Sequence, residues 1–155
     1  MQIKATILSL LFIPLVACAP MKIDSAIQAY LDGDYDHAFS MSRDLAQDGY
    51  PDAQNIIGLI YMNGHGSHGK SCDEAIKWIG ASAEQNFPPA INNLGLLHEY
   101  GCGVPKNLDE AIKFYKIADR RGFKDARFNL LRLGVLDQEK VELSSHNISK
   151  FTKNK

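Results

Sequence analysis

Residues 53–66 read AQNIIGLIYMNGHG, and residues 90–103 read AINNLGLLHEYGCG. Alanine at the first position and glycine at the sixth, twelfth and fourteenth positions recur with a spacing of 37 residues. The segments that follow also match, since DEAIKW at 73–78 returns as DEAIKF at 109–114. Self-similarity at a period of about 20–50 residues is typical of solenoids, in which each repeat is one supersecondary unit. The two matching stretches therefore predict a repeat architecture.

Each repeat carries two helical faces. Apolar and small residues recur at helical spacing from Ala53 to Tyr61 and from Ala90 to His98, and again from Ala75 to Ser82 and from Ala111 to Ala118. We therefore predict an all-α fold, a right-handed α-solenoid of antiparallel helix pairs. Gly58 and Gly95 fall inside the first helix of each pair, where glycine costs about 1 kcal/mol relative to alanine. Close crossing of two helices would offset that cost.

The repeat domain is predicted to span residues 23–143. A shortened copy precedes the two full repeats, and a helix that lacks the internal glycine follows them, as expected of terminal repeats. Asp73 and Asp109 are placed at N-caps or in the first turn of the second helices, where carboxylates are favourable. The predicted boundaries are about 23–52, 53–89 and 90–125 for the repeats, 126–143 for a closing helix and 144–155 for a polar tail.

The N-terminus has the pattern of a secretory signal. Lys4 is followed by an apolar run from Ala5 to Val16 that is too short to span a bilayer as a helix, which needs about 20 residues. Residues 15–18 read LVAC and resemble the bacterial lipobox. The resemblance implies a signal peptide over 1–17, acylation of Cys18 and, with Ala19 following it, an outer-membrane anchor facing the periplasm. Residues 18–22 would form a short linker.

The repeats themselves resemble the Sel1-like repeat, a relative of the tetratricopeptide repeat. The second full repeat carries the pattern most completely, although it has His98 where tyrosine is usual. The resemblance covers about residues 23–134 and implies a protein-binding module, either an adaptor or scaffold or an inhibitor, rather than an enzyme. The partner would be a protein, held on a concave face that the first helices line. The predicted face comprises Asn55, Leu59, Met62, Asn92, Asn93, Leu96 and Glu99.

The apolar members of that predicted face have two interpretations. Leu59, Met62 and Leu96 would be apolar on an exposed surface, which is typical of a contact site. Alternatively, some of them pack against a neighbouring helix. Composition limits the class of partner. The formal net charge is −1 and there is no basic block, so nucleic acid is a disfavoured partner. No cofactor is expected.

The sequence offers little support for catalysis. It contains no Gly-x-Ser-x-Gly elbow, and its Ser-x-x-Lys spacing, Ser67 to Lys70, falls in a glycine-rich loop that is expected to be a turn between two helices. An alternative role as a cell-wall-acting or β-lactam-interacting enzyme of the cysteine-rich Sel1 type is therefore disfavoured. A second alternative is a metal-binding loop protein, although no standard zinc spacing is met. Its ligands would be His65, His68, Cys72, His98 and Cys102.

Cys72 and Cys102 lie in loops at the same edge of neighbouring repeats. In an oxidising compartment they could form a disulfide that closes a loop of about 30 residues, which the chain-entropy model values at roughly 3–4 kcal/mol. The alternative is a pair of free thiols whose sulfurs lie too far apart. The sequence leaves both open.

Overall fold

The computed structural model describes residues 19–136, and within that range the chain forms seven α-helices and no strand. The helices are α1 (Ala19–Leu31), α2 (Tyr35–Gln47), α3 (Pro51–Asn63), α4 (Cys72–Glu84), α5 (Pro88–Tyr100), α6 (Leu108–Arg120) and α7 (Lys124–Arg132). A 3₁₀ turn, Gly66–His68, lies between α3 and α4. Each helix packs against the next, so that α1–α2, α3–α4 and α5–α6 form successive pairs. The all-α repeat fold is confirmed, and its right-handed sense stays a prediction.

Helix ends follow from local sequence. Pro51 and Pro88 begin α3 and α5, since proline tolerates the first turn, where its missing N–H has no partner to lose. The side chains of Ser71 and Asn107 cap α4 and α6 by accepting a backbone N–H three residues further on. Of the two placements predicted for Asp73 and Asp109, N-cap or first turn, the structure shows the first turn.

Gly58 and Gly95 lie where the two helices of a pair cross closely. A Cβ atom at Gly95 would lie 2.6 Å from Cε1 of the fully buried Tyr115, and one at Gly58 would lie 3.1 Å from the backbone nitrogen of Ile79 and overlap its side chain. In both repeats the first helix therefore presses its backbone against the second helix of the pair. The prediction of close crossing is confirmed.

A series of hydrophobic clusters runs along the stack of helices. The buried alanines Ala38, Ala75 and Ala111 each occupy the fourth position of a second helix and lie in successive clusters. Large side chains fill the remaining space between pairs, and those exposed by less than 2% include Ile57, Ile60, Ile79, Leu97, Tyr115 and Leu130. Within residues 19–136, no helix is both long and apolar enough to cross a bilayer.

Two predicted boundaries are wrong. Residues 19–22 were expected in a linker, but α1 begins at Ala19, and Pro20 is accommodated in its first turn. The closing helix was expected to run to residue 143, but α7 ends at Arg132, and Gly134 follows with a positive φ of 70°. Glycine takes up this left-handed conformation at a helix end without steric cost. The predicted signal peptide, Cys18 and the polar tail lie outside the described residues.

Candidate protein-binding surface

Asparagine pairs join the first helices of successive repeats. The amide nitrogen of Asn93 in α5 donates to the side-chain oxygen of Asn55 in α3 at 2.8 Å. Asn129 in α7 donates to Asn92 in α5 at 2.9 Å, through the same two repeat positions. The periodic register of the solenoid thus places a hydrogen-bonded amide pair at the α3–α5 junction and another at the α5–α7 junction.

These pairs correct the predicted binding face. Asn55, Asn92, Asn93 and Glu99 were expected to be exposed, but each is less than 10% exposed. A buried carboxamide is tolerated only when it is hydrogen-bonded, and the partner here lies one repeat away. Sequence periodicity within a single helix could not show that these side chains are covered by a helix of the next repeat. The signal that could have shown it is that asparagine recurs at two adjacent repeat positions, at Asn55 and Asn92 and again at Asn93 and Asn129.

Glu99 connects the last three helices. Its carboxylate accepts a hydrogen bond from the hydroxyl of Tyr115 at 2.7 Å and binds Arg132 of α7 through both oxygens, at 2.7 and 2.8 Å. The Arg132 hydrogen bond is the main reason why the pKa of Glu99 is lowered, against the opposing effect of burial. Burial, followed by the hydrogen bond to Glu99, raises the pKa of Tyr115. The carboxylate therefore holds α5, α6 and α7 together.

A groove remains open between α3 and α5. It has a volume of about 300 Å³ and lies against the loop edge of the stack. Met62 and Leu96, two of the predicted face residues, line it from opposite sides, and both are half-buried. Tyr100 adds an aromatic ring that is 67% exposed, and sequence reasoning missed it. Its position one helical turn after Leu96 is the signal that could have identified it. We call this feature the α3–α5 groove, lined by Met62, Asn63, Lys70, Leu96, Leu97, Tyr100 and Cys102.

The side chains that line the α3–α5 groove are of the kinds found at protein–protein interfaces. Exposed aromatic rings bordered by polar groups are enriched at protein interfaces because they bury much area while ordering few torsions. Asn63 and Lys70 supply a hydrogen-bonding and cationic rim. Leu59, also predicted for this face, is half-buried on α3 and does not line the groove.

Cys72 and Cys102 are joined by a disulfide in the structure, with their Cα atoms 4.9 Å apart. The bond links the first residue of α4 to the loop that follows α5, and Cys102 also lines the α3–α5 groove. The disulfide thereby fixes one wall of the groove to the preceding repeat.

The three histidines of the predicted metal set are each stacked on a different ring. His65 lies 3.9 Å from Tyr35, His68 lies 3.6 Å from Phe39, and His98 lies 5.3 Å from Phe114, measured between ring centroids. Both cysteines of the set are held in the disulfide, so neither offers a thiolate. No group of three or more metal-ligating side chains comes together anywhere in residues 19–136.

Comparison with known proteins identifies the repeats. The model of the Sel1 repeat matches residues 51–87 and 88–122. A Sel1 repeat protein from Oxalobacter formigenes superposes with a TM-score of 0.63 and 33% identity, covering 70% of this chain and 43% of that one. c5321, a protective antigen of uropathogenic Escherichia coli with an SLR fold, superposes with a TM-score of 0.60 and 25% identity, over 69% of this chain and 24% of its own.

Two further proteins are similar to part of the chain in sequence. DAP3-binding cell death enhancer 1 of Mus musculus is 29% identical over 104 residues, which is 66% of this chain and 19% of the mouse protein. A putative sel1-like repeat-containing protein of Acanthamoeba polyphaga mimivirus is 49% identical over 47 residues, 30% of this chain and 8% of the viral protein. The chain thus spans less than half the length of each of these four proteins.

The described residues form an all-α repeat fold of stacked helix pairs. The repeats at residues 51–122 are Sel1 repeats, and Sel1-repeat proteins typically mediate protein–protein interactions.

Proposed function

We propose that this protein is a membrane-anchored, periplasmic protein-interaction module that acts as an adaptor or an inhibitor. The partner protein binds the face formed by the first helices, with its centre in the α3–α5 groove. The observation that carries this proposal is the exposed apolar and aromatic lining of the groove, above all Tyr100. The corrected face excludes the buried asparagines and Glu99, which stabilise the stack instead.

Rigidity of the groove supports a binding role. The disulfide, the asparagine pair between α3 and α5, and the Glu99 hydrogen bonds hold both walls in place before any partner arrives. A preorganised surface loses less conformational entropy on binding than a flexible one. The partner would contribute an apolar side chain to meet Met62, Leu96 and Tyr100, and an acceptor for the Lys70 ammonium.

Two observations support the proposed location at the outer membrane, facing the periplasm. The lipobox-like residues LVAC provide an acylation site at Cys18, and the acyl chains would anchor the protein to the outer membrane. The Cys72–Cys102 disulfide suits an oxidising compartment such as the periplasm.

The binding proposal is tested by photo-crosslinking in living cells. A photoreactive amino acid at position 96 should trap a partner protein, and Tyr100→Glu in the same chain should abolish the crosslinked product. Phe128→Glu is the matched control, since Phe128 is 66% exposed, almost as much as Tyr100, yet does not line the groove. Equal loss of crosslinking in the two variants, with both folded by circular dichroism, would contradict a role for the groove.

The anchoring proposal has a separate test. Cys18→Ser should shift the protein out of the outer-membrane fraction and abolish incorporation of labelled fatty acid. The control is the double variant Cys72→Ser/Cys102→Ser, which retains Cys18 but loses two other cysteines. Fatty-acid labelling that survives in the Cys18→Ser variant would refute acylation at this residue.

A further inference from the structure

Both ends of the helix stack carry exposed apolar side chains. Ile27 and Leu31 of α1 are 36% and 71% exposed, and Phe128 of α7 is 66% exposed. The end repeats of a solenoid normally present a polar outer face, because no neighbouring repeat covers them. The two end helices of this stack therefore differ from those of a solenoid whose ends meet only water.

Phe128 occupies the position from which a first helix contacts the next first helix. By the repeat spacing it is equivalent to Asn92 of α5 and Asn55 of α3. In α5 and α3 this side chain is buried and accepts a hydrogen bond from the first helix that follows. Within residues 19–136 no helix follows α7, so the stacking face of α7 is uncovered by the described part of the chain.

The outer face of α1 carries a similar stripe. Ala26 and Ala29 are buried in the cluster that α1 shares with α3. Asp24, Ile27 and Leu31 are spaced by three and four residues on the opposite side of the helix, and all three are exposed. The first helix of the stack thus has an uncovered apolar face, as the last helix does.

The two ends carry opposite charge. Residues 19–52 contain seven carboxylates and two basic side chains, whereas residues 106–136 contain eight basic side chains and four carboxylates. Lys124 lies one turn before the exposed phenylalanine of α7, and Asp24 lies one turn before the exposed isoleucine of α1. Neither of these two charged groups forms an ion pair with another described residue. Complementary charge of this kind orients two surfaces as they meet.

We propose that the two ends bind each other, so that the α1 end of one copy of this protein docks on the α7 end of a second copy. The docked α1 lies where a further first helix would stack. First helices run parallel, since the contacts between α5 and α7 advance along both helices in the same direction. In that orientation the Asp24 carboxylate meets the Lys124 ammonium, and the exposed apolar side chains of α1 cover Phe128.

The contact is head-to-tail and goes beyond the proposed function. It joins two different surfaces, so each pair of copies still has one end of each kind and the row can continue. It uses none of the residues that line the α3–α5 groove, and the two sites can therefore be tested separately. The rest of the chain is a poorer electrostatic match for the basic α7 end, because residues 137–155 contain four basic side chains and three carboxylates.

The test is photo-crosslinking between two differently tagged copies of the full chain in the same cells. One copy carries a photoreactive phenylalanine derivative in place of Phe128. Irradiation should give a product with the mass of two chains that contains both tags and joins position 128 to a peptide of α1. Crosslinking of position 128 only to residues 137–155 of its own chain, or only to other proteins, would overturn the proposal.

Variants of the second copy test the direction of the contact. Leu31→Glu in that copy should lower the two-tag product by about tenfold, because it places a carboxylate against the aromatic side chain. Phe128→Glu in the second copy should leave the product within about twofold, since only the α1 end of that copy is used. Tyr100→Glu, which alters the α3–α5 groove, should also leave it unchanged. Equal loss with Leu31→Glu and Phe128→Glu would contradict a head-to-tail contact.

A charge exchange tests the orientation of the two helices. Asp24→Lys in the second copy should lower the product by about two- to fivefold, as expected for an exposed ion pair, and Lys124→Asp in the first copy should restore it. A further decrease on adding Lys124→Asp would refute this docking. Folding of the Leu31→Glu chain is checked by moving the photoreactive group into it, because its intact α7 end should still crosslink to a wild-type copy.

Discussion

Replacement of glycine by alanine should have opposite effects at Gly58 and at Gly80, although both lie inside helices. Alanine is favoured over glycine in a helix by about 1 kcal/mol. At Gly80 the new methyl group meets no atom within 4 Å, so most of that gain should appear as added stability. At Gly58 the methyl group would overlap the Ile79 side chain and press on its backbone nitrogen, 3.1 Å away.

The expected magnitudes follow from these contacts. Forcing extra volume into a packed core costs typically about 1–3 kcal/mol, and the Ile79 backbone can yield only by separating α3 from α4. We expect Gly58→Ala to destabilise the protein by up to about 2 kcal/mol after the propensity gain is subtracted, and Gly80→Ala to stabilise it by about 0.5–1 kcal/mol. The two variants should then differ by about 2 kcal/mol, or close to 8 °C in Tm at about 4 °C per kcal/mol.

Urea unfolding followed by circular dichroism gives both free energies on the same scale. The slope of the transition should stay constant, so that a changed midpoint reports stability alone. Gly95→Ala provides a replicate, because its methyl group would lie 2.6 Å from the ring of Tyr115. If Gly58→Ala stabilises the protein as much as Gly80→Ala does, the close crossing of α3 and α4 is not rigid and the argument fails.

The remaining predictions concern the links between repeats. Reduction of the Cys72–Cys102 disulfide, whose partners are 30 residues apart, should lower the free energy of unfolding by about 3–4 kcal/mol. Urea unfolding with and without reductant measures this difference. An unchanged urea midpoint would show that the disulfide does not stabilise the fold. Glu99→Gln should cost about 2 kcal/mol through weaker hydrogen bonds to Arg132. Because the folded pKa of Glu99 is lowered, its contribution is present above the unfolded pKa of about 4.3 and is lost as pH falls through the folded value. Acid titration of stability should therefore be shallower in Glu99→Gln than in the wild type, and parallel curves would contradict this. Asn93→Ala should cost about 1–3 kcal/mol in thermal or urea unfolding by leaving a buried oxygen unpaired, an effect that a wild-type midpoint would disprove.

The repeats could be predicted from sequence because their determinants are local or recur along the chain. The 37-residue recurrence of Ala53, Gly58 and Gly64 showed two equivalent units, and apolar spacing placed a helix pair in each. The positions of Cys72 and Cys102 at one loop edge followed from the same alignment, although only the structure joins them. The ends of the array were less predictable, as α1 and α7 show, because terminal helices lack the neighbour that defines the pattern.

The binding surface depended on tertiary structure. Sequence periodicity divides a helix into faces, but it does not tell which face a neighbouring repeat covers. That coverage is set by contacts between residues one repeat apart, such as Asn55 with Asn93, and by the angle at which the pairs stack. It is why Asn92 and Glu99 are buried and why Tyr100 is exposed. The sequence by itself determined the repeat, its helices and their close crossings, whereas only the packing of one repeat on the next decided which side chains are left to meet a partner.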